Sequence, residues 1–187
     1  MQKFREARRQ FCAPLVRVTN FPYLCNDRSD VRRPRCRSQC ETRDLRQQDA
    51  LLTEDNLPSY HTEIAIAMGR DGAWGTWIER WTAEENRHGI VMRDYLMATR
   101  GVDPYELEDL RMAHMSIGYQ KPYENDMLHT VAYVSFQELA TRISHRNTGL
   151  ISDDPICESM LQRVSLDENL HMIFYRNLLG SALDREP

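Results

Sequence analysis

From Leu51 onward, apolar residues recur at helical steps. Trp77, Trp81, Glu85, His88, Met92 and Tyr95 are separated by 4, 4, 3, 4 and 3 residues, the spacing of one helix face. The same period runs through Val131, Val134, Glu138, Thr141 and His145, and again through Val164, Glu168, His171, Tyr175 and Leu178. A further face carries Glu54, Leu57, His61 and Ile64. The pattern predicts helices over about 52–69, 73–99, 104–117, 125–147 and 154–180. Thr53 is the expected N-cap of the first, with Pro58 making its early turns irregular, Pro104 opens the short third helix, and "SDDP" (152–155) caps the last. No strand-like alternation competes. The fold class is all-α, and the long elements suit a four-helix bundle.

Charged residues interrupt these core-facing stripes, and a buried charge needs a partner. Two stripes carry Glu-x-x-His, as Glu85 with His88 and Glu168 with His171. Each is preceded by a helix with one inward carboxylate. Glu54 lies 31 residues before Glu85, and Glu138 lies 30 before Glu168. The chain therefore contains one unit twice. Packed as a pseudo-symmetric bundle, the two units bring four carboxylates and two imidazoles together, the ligand set of a carboxylate-bridged di-iron or di-manganese centre. One such motif alone would be read as a solvated pair; two copies on apolar stripes at matched spacing point to metal. Hard carboxylate oxygens suit an oxidised metal pair, and imidazole nitrogen suits iron while leaving positions open for oxygen.

Composition divides the 187 residues near position 50. Residues 1–50 hold 12 Lys+Arg against 6 Asp+Glu, four of the five cysteines and no glycine, while residues 51–187 hold 12 against 22. The first fifty show no sustained period. Their cysteines lack metal-site spacing, and "RRPRCR" lacks interleaved aromatics, which argues against a zinc site and a nucleic-acid-binding arm. They are read as a basic, poorly ordered extension, with a displaced start or a reading-frame change as its sharper explanation. Residues 51–187 are read as the bundle domain. The N-terminus has no secretory signal pattern and no apolar run reaches about 18 residues, so a cytoplasmic protein without a membrane span is expected.

The stretches "LTEDNLPSYHTEI", "WTAEENRHG", "SFQELATRISHRNT" and "DENLH" closely resemble the soluble acyl-acyl-carrier-protein desaturases, of plant stearoyl and actinobacterial type, over about residues 51–180. That resemblance implies a ferritin-like bundle with two iron ions held by Glu54, Glu85, His88, Glu138, Glu168 and His171. It implies Asp167 as the residue that orients a ligand histidine, and Thr141 beside the oxygen-binding face. It further implies O2 as co-substrate, a saturated acyl chain on acyl carrier protein as substrate, a cis double bond as product, a ferredoxin-type electron donor and a homodimer. Family members are longer at both ends, so a truncated desaturase, or a non-catalytic remnant or interaction subunit, is the alternative expectation. An acidic carrier needs a basic patch, for which Arg100, Arg111, Lys121 and Arg146 are candidates.

The remaining polar and aromatic residues have plainer readings. His61 and His145 are expected as interior hydrogen-bonding groups, and His114 and His129 as peripheral. Trp77 and Trp81 are expected as core packing, with electron entry the alternative. Cys157 reads as a small buried hydrophobe, the methionines as bundle filler, and Glu84 and Arg87 as a solvated face.

Overall fold

The computed structural model describes residues 46–119 and 126–185, and these are almost wholly helical, with no strand among them. Helix α1 occupies 46–55, α2 Leu57–Met68, α3 Gly72–Ala98, α4 Pro104–Ile117, α5 Met127–Ile151 and α6 Pro155–Leu183. Three of the starts follow directly from aspartate caps. The Asp103 carboxylate accepts from the Tyr105 and Glu106 amides, Asp126 from His129, and Asp154 from Ile156 and Cys157. Pro104 and Pro155 occupy first-turn positions whose amides need no partner.

The first predicted helix is in fact two. Thr53 is not a cap, because the chain is already helical from residue 46, and its hydroxyl donates back to the Asp49 carbonyl at 3.0 Å. Gln47, Ala50, Leu51 and Glu54 form the buried face of α1. Residues 46–50, assigned by composition to the extension, thus belong to the packed helix; the rest of that extension lies outside the described residues. The helix ends at Asn56, and Pro58 sits in the first turn of α2. Helices α5 and α6 run past their predicted ends, 125–147 and 154–180, by three or four residues.

α1 and α2 together, α3, α5 and α6 are the four staves, and α4 crosses outside them. Only Leu107 of α4 is fully buried, and Arg111 ties that helix to α1 by donating to Asp55. α5 and α6 pack most intimately. A Cβ on Gly149 would stand 3.3 Å from both the Glu158 Cα and the Leu161 Cβ, so the absent side chain lets the two backbones approach.

The apolar core is in two parts. One cluster holds Leu51, Met92, Leu96, Leu107, Cys157 and Leu161. The other holds Ile64, Ile78, Trp81, Val131, Val134 and Tyr175. Along α1–α2, α3 and α6 the residues between those clusters include the charged ones, so the polar centre lies between two bodies of hydrocarbon; α5 contributes only to the second, through Val131 and Val134.

Candidate metal centre

Glu54, Glu85, His88, Glu138, Glu168 and His171 all converge in this gap, each 4 % exposed or less. They form two quartets. Glu54, Glu85, His88 and Glu168 make one; Glu85, Glu138, Glu168 and His171 make the other. Within each quartet one donor atom per residue lies within 4.8 Å of all the others. Glu85 and Glu168 belong to both, whereas Glu54 and His88 belong only to the first and Glu138 and His171 only to the second.

The histidines aim Nδ1 inward. His88 Nδ1 lies 3.1 Å from Glu168 Oε1, 3.7 Å from Glu54 and 4.0 Å from Glu85. His171 Nδ1 lies 2.8 Å from Glu85 Oε1, 3.6 Å from Glu138 and 3.9 Å from Glu168. These contacts are close, yet neither Nδ1 makes a hydrogen bond, because the geometry is misaligned. Glu54 Oε2, Glu85 Oε1 and Glu168 Oε1 are likewise buried without hydrogen-bond partners. Orphaned buried donors of this kind are costly, and here they all face one interior space. Oxygen and imidazole donors in such a set fit a pair of divalent transition metals.

The far nitrogens are held from outside. His88 Nε2 faces Asp167 Oδ2 at 3.5 Å, and His171 Nε2 faces Glu84 Oε2 at 3.0 Å. Such carboxylates fix ring orientation and tautomer. Glu84 corrects the sequence reading: it is no member of a solvated face but the symmetry mate of Asp167, with each acid directly preceding the Glu of a Glu-x-x-His. The duplication was the signal that could have found it. Arg87 remains on the outside, near Glu84. Thr141 donates toward Glu168 Oε2 at 3.0 Å. His145, fully buried, lies 2.8 Å from Glu54 Oε1, while His61 is half-buried and pairs with Thr82. Tyr60, which drew no notice in sequence, reaches Glu85 Oε2 at 3.5 Å.

The electrostatics of the metal-free site follow from this packing. Burial raises Glu54, but contacts from His145 and His88 outweigh it and hold the carboxyl down to about 2. Burial, then the charge of Glu168, lifts Glu85 to about 8. Burial lifts Glu138 well above the usual range. Glu168 resists its own burial through His88 and Glu138 and ends low. Burial disfavours charged His88 and His171, yet the surrounding carboxylates push both up to about 11.

Two grooves flank the centre. One of about 720 Å3 is lined in part by Arg87, His88, Arg163, Val164 and Asp167. The other, about 350 Å3, is lined by Trp74, Trp77, Phe174 and Leu178.

The sequence profile of a family described as fatty acid desaturase matches residues 47–187. This chain belongs to that fatty acid desaturase family. It is 58 % identical over 145 residues to DesA1 of Mycobacterium tuberculosis, named as an acyl-(acyl-carrier-protein) desaturase, covering 73 % of this chain and 43 % of that relative. DesA2 of the same species, with the same designation, is 36 % identical over 134 residues, covering 72 % and 48 %. The chloroplastic stearoyl-(acyl-carrier-protein) 9-desaturase 6 of Arabidopsis thaliana is 33 % identical over 147 residues, covering 73 % and 38 %. The chain thus spans less than half the length of these curated relatives. The α-helical bundle and the family expected from sequence are both found, and no described helix is long and apolar enough to cross a membrane.

Proposed function

We propose that this chain is the metal-binding bundle of an acyl-acyl-carrier-protein desaturase and that the six converging residues hold two iron ions. The observation that carries the reading is the pair of buried quartets sharing Glu85 and Glu168, within the segment that matches the family. Two irons held there supply the O2-dependent oxidation that removes hydrogens from adjacent methylenes of a saturated acyl chain and leaves a cis double bond.

The chain's own residues have distinct tasks in this reading. Glu85 and Glu168, common to both quartets, would serve both irons, Glu54 and His88 would complete the set for one, and Glu138 and His171 would complete it for the other. Asp167 and Glu84 fix the two imidazoles from behind. Thr141 holds a hydroxyl against Glu168 and so can place a proton at the edge of the centre. The two apolar clusters exclude water from both ends. We place the start of the desaturase domain in the helix that carries Gln47, where the family match begins.

The same reading includes acyl carrier protein as substrate carrier, a ferredoxin-type donor, a cytoplasmic location and a homodimer. Of the basic candidates for carrier docking, Arg111 is committed to Asp55 and Glu108 and Arg146 to Glu158, whereas Arg100 is exposed; Lys121 lies outside the described residues. For the dimer, Phe136, Ile143 and Leu150 recur at seven-residue steps on the outer side of α5 and are 71, 51 and 54 % exposed. That spacing makes one apolar seam for a second copy to cover.

The test is to load the purified protein with ferrous iron, count bound metal, and supply stearoyl-acyl carrier protein, ferredoxin, its reductase and O2. Two irons per chain and a mono-unsaturated product by mass spectrometry are expected. Fewer than two irons, or two irons with unaltered acyl chain, would overturn the reading.

A further inference from the structure

The ring contacts of the second groove do more than fill space. Trp77 meets the ligand ring of His171 edge-on, with centroids 6.2 Å apart. On its other side Trp77 stacks on Phe174 at 3.6 Å and lines the groove that opens to solvent. A second line of rings converges on the same indole. Tyr60, at Glu85, lies 5.8 Å from Trp81; Trp81 lies 6.2 Å from Tyr175; and Tyr175 lies 5.9 Å from Trp77. Both lines meet at Trp77; the second also reaches the groove through Phe174, 5.3 Å from Tyr175, so Trp77 is the oxidisable ring the two lines share.

Resting on the dimetal reading above, we propose that Trp77 is the one-electron gate of the centre, carrying single electrons from the groove to the metal pair across its contact with His171. The groove-side contact is a flat stack that phenylalanine would also make, and what the indole adds structurally is the Nε1–H donated to the Tyr175 hydroxyl. Indole gives up an electron far more readily than benzene, and one-electron chemistry is what a di-iron site demands of its surroundings. In each passage one electron crosses the Trp77 ring from an external one-electron donor of the iron–sulfur class, meeting the groove, to the oxidised metal pair; the donor is oxidised by one electron, the metal pair is reduced by one, and the indole is left unchanged. No proton crosses, because the Trp77 Nε1–H stays donated to the Tyr175 hydroxyl at 3.3 Å. Net transfer is one electron per event from donor to metal.

The test uses flash-generated ruthenium(III) tris-bipyridine in solution as a one-electron oxidant, under anaerobic conditions, on the full chain carrying Trp74→Phe to remove the other groove indole. In the zinc-loaded protein, whose metal is redox-inert, a long-lived indole radical absorption is expected. In the ferrous-loaded protein the radical should decay rapidly as ferric absorption rises. Adding Trp77→Phe should abolish that fast ferric signal, and Trp77→Tyr, still oxidisable, should restore it. Bound metal is counted and the fold checked by circular dichroism in every variant. Equal metal content with an undiminished ferric signal in the Trp77→Phe protein overturns the gate and leaves the dimetal reading standing. Failure of the parent protein to bind two metals overturns both.

Discussion

Loading the centre with metal should expel about four protons, and the count follows from the metal-free packing. His88 and His171 hold their protons well past neutrality, both near 11. Glu138 is held neutral by burial, and Glu85, at about 8, is mostly neutral at pH 7. Glu54 and Glu168 stay ionised. Two imidazolium cations thus face two carboxylates and two neutral carboxyls, and the net charge is zero, as a buried cluster requires. Metal takes each donor only after its proton leaves. Two divalent cations therefore replace two imidazole and two carboxyl protons, a charge-for-charge exchange. The sign is fixed by the direction of the shifts. Raised values mean that protons compete with metal, so affinity falls as pH falls. With four protons per metal pair, one pH unit below about 8 changes the overall binding constant about ten-thousandfold, about 5 kcal/mol. Above about 8 the count drops toward three as Glu85 ionises unaided. Calorimetric titration with zinc near pH 7, repeated in two buffers of different ionisation enthalpy, reads the proton count directly. Six ordinary side chains would release fewer than about one, since their usual values lie at or below about 6.5. A measured release of one proton or fewer would refute the assigned charge state.

Three further outcomes are expected. Glu84→Ala and Asp167→Ala should each weaken metal binding at one of the two sites by about 10–100-fold, measured by competition with a chelator, because each frees one ligand histidine to rotate; unchanged affinity in Glu84→Ala would return that residue to the solvated face. Leu51→Ala should cost about 2–5 kcal/mol in urea unfolding because Leu51 is fully buried in α1, while Leu170→Ala, at a side chain 63 % exposed, should stay within about 0.5 kcal/mol. Phe136→Glu combined with Ile143→Glu should convert a dimer to a monomer by light scattering without loss of bound metal, and a dimer that persists would place the interface elsewhere.

How much of this was legible in sequence depends on which force sets each feature. The six converging positions were legible because helical period alone determines which residues share a face. Asn56 shows where period fails. Glu54 and Glu138 are each followed seven residues later by a histidine, His61 and His145, so strict repetition would give both the same role. The chain breaks at Asn56 and Pro58, between Glu54 and His61, and the phase is lost. His61 turns aside to Thr82, while His145, on the unbroken α5, reaches across to Glu54. The start of α1 was hidden for a different reason: Gln47 is buried and hydrogen-bonded to Cys157, a tertiary partner 110 residues away, and composition made that turn look like part of a polar tail.

The pairing within the centre is a matter of register between helices, and no spacing along one chain contains it. α3 and α6 each carry Glu-x-x-His and run in opposite directions between the same two apolar clusters. In an antiparallel pair, facing residues keep a constant index sum. Here Trp81 with Tyr175, Glu85 with His171, and His88 with Glu168 all share the sum 256. Each glutamate is therefore set against the other helix's histidine, about 4.5 Å of rise from its own. That crossing puts Glu85 and Glu168 in both quartets and leaves Glu54 and Glu138 in one each. One residue earlier on each helix, the same register brings Glu84 to the back of His171 and Asp167 to the back of His88. A single packing register thus selects the carboxylates common to both quartets and the acids that face the outer ring nitrogens, which is why Glu84, one acid of that outer pair, reads as a solvated charge in sequence alone.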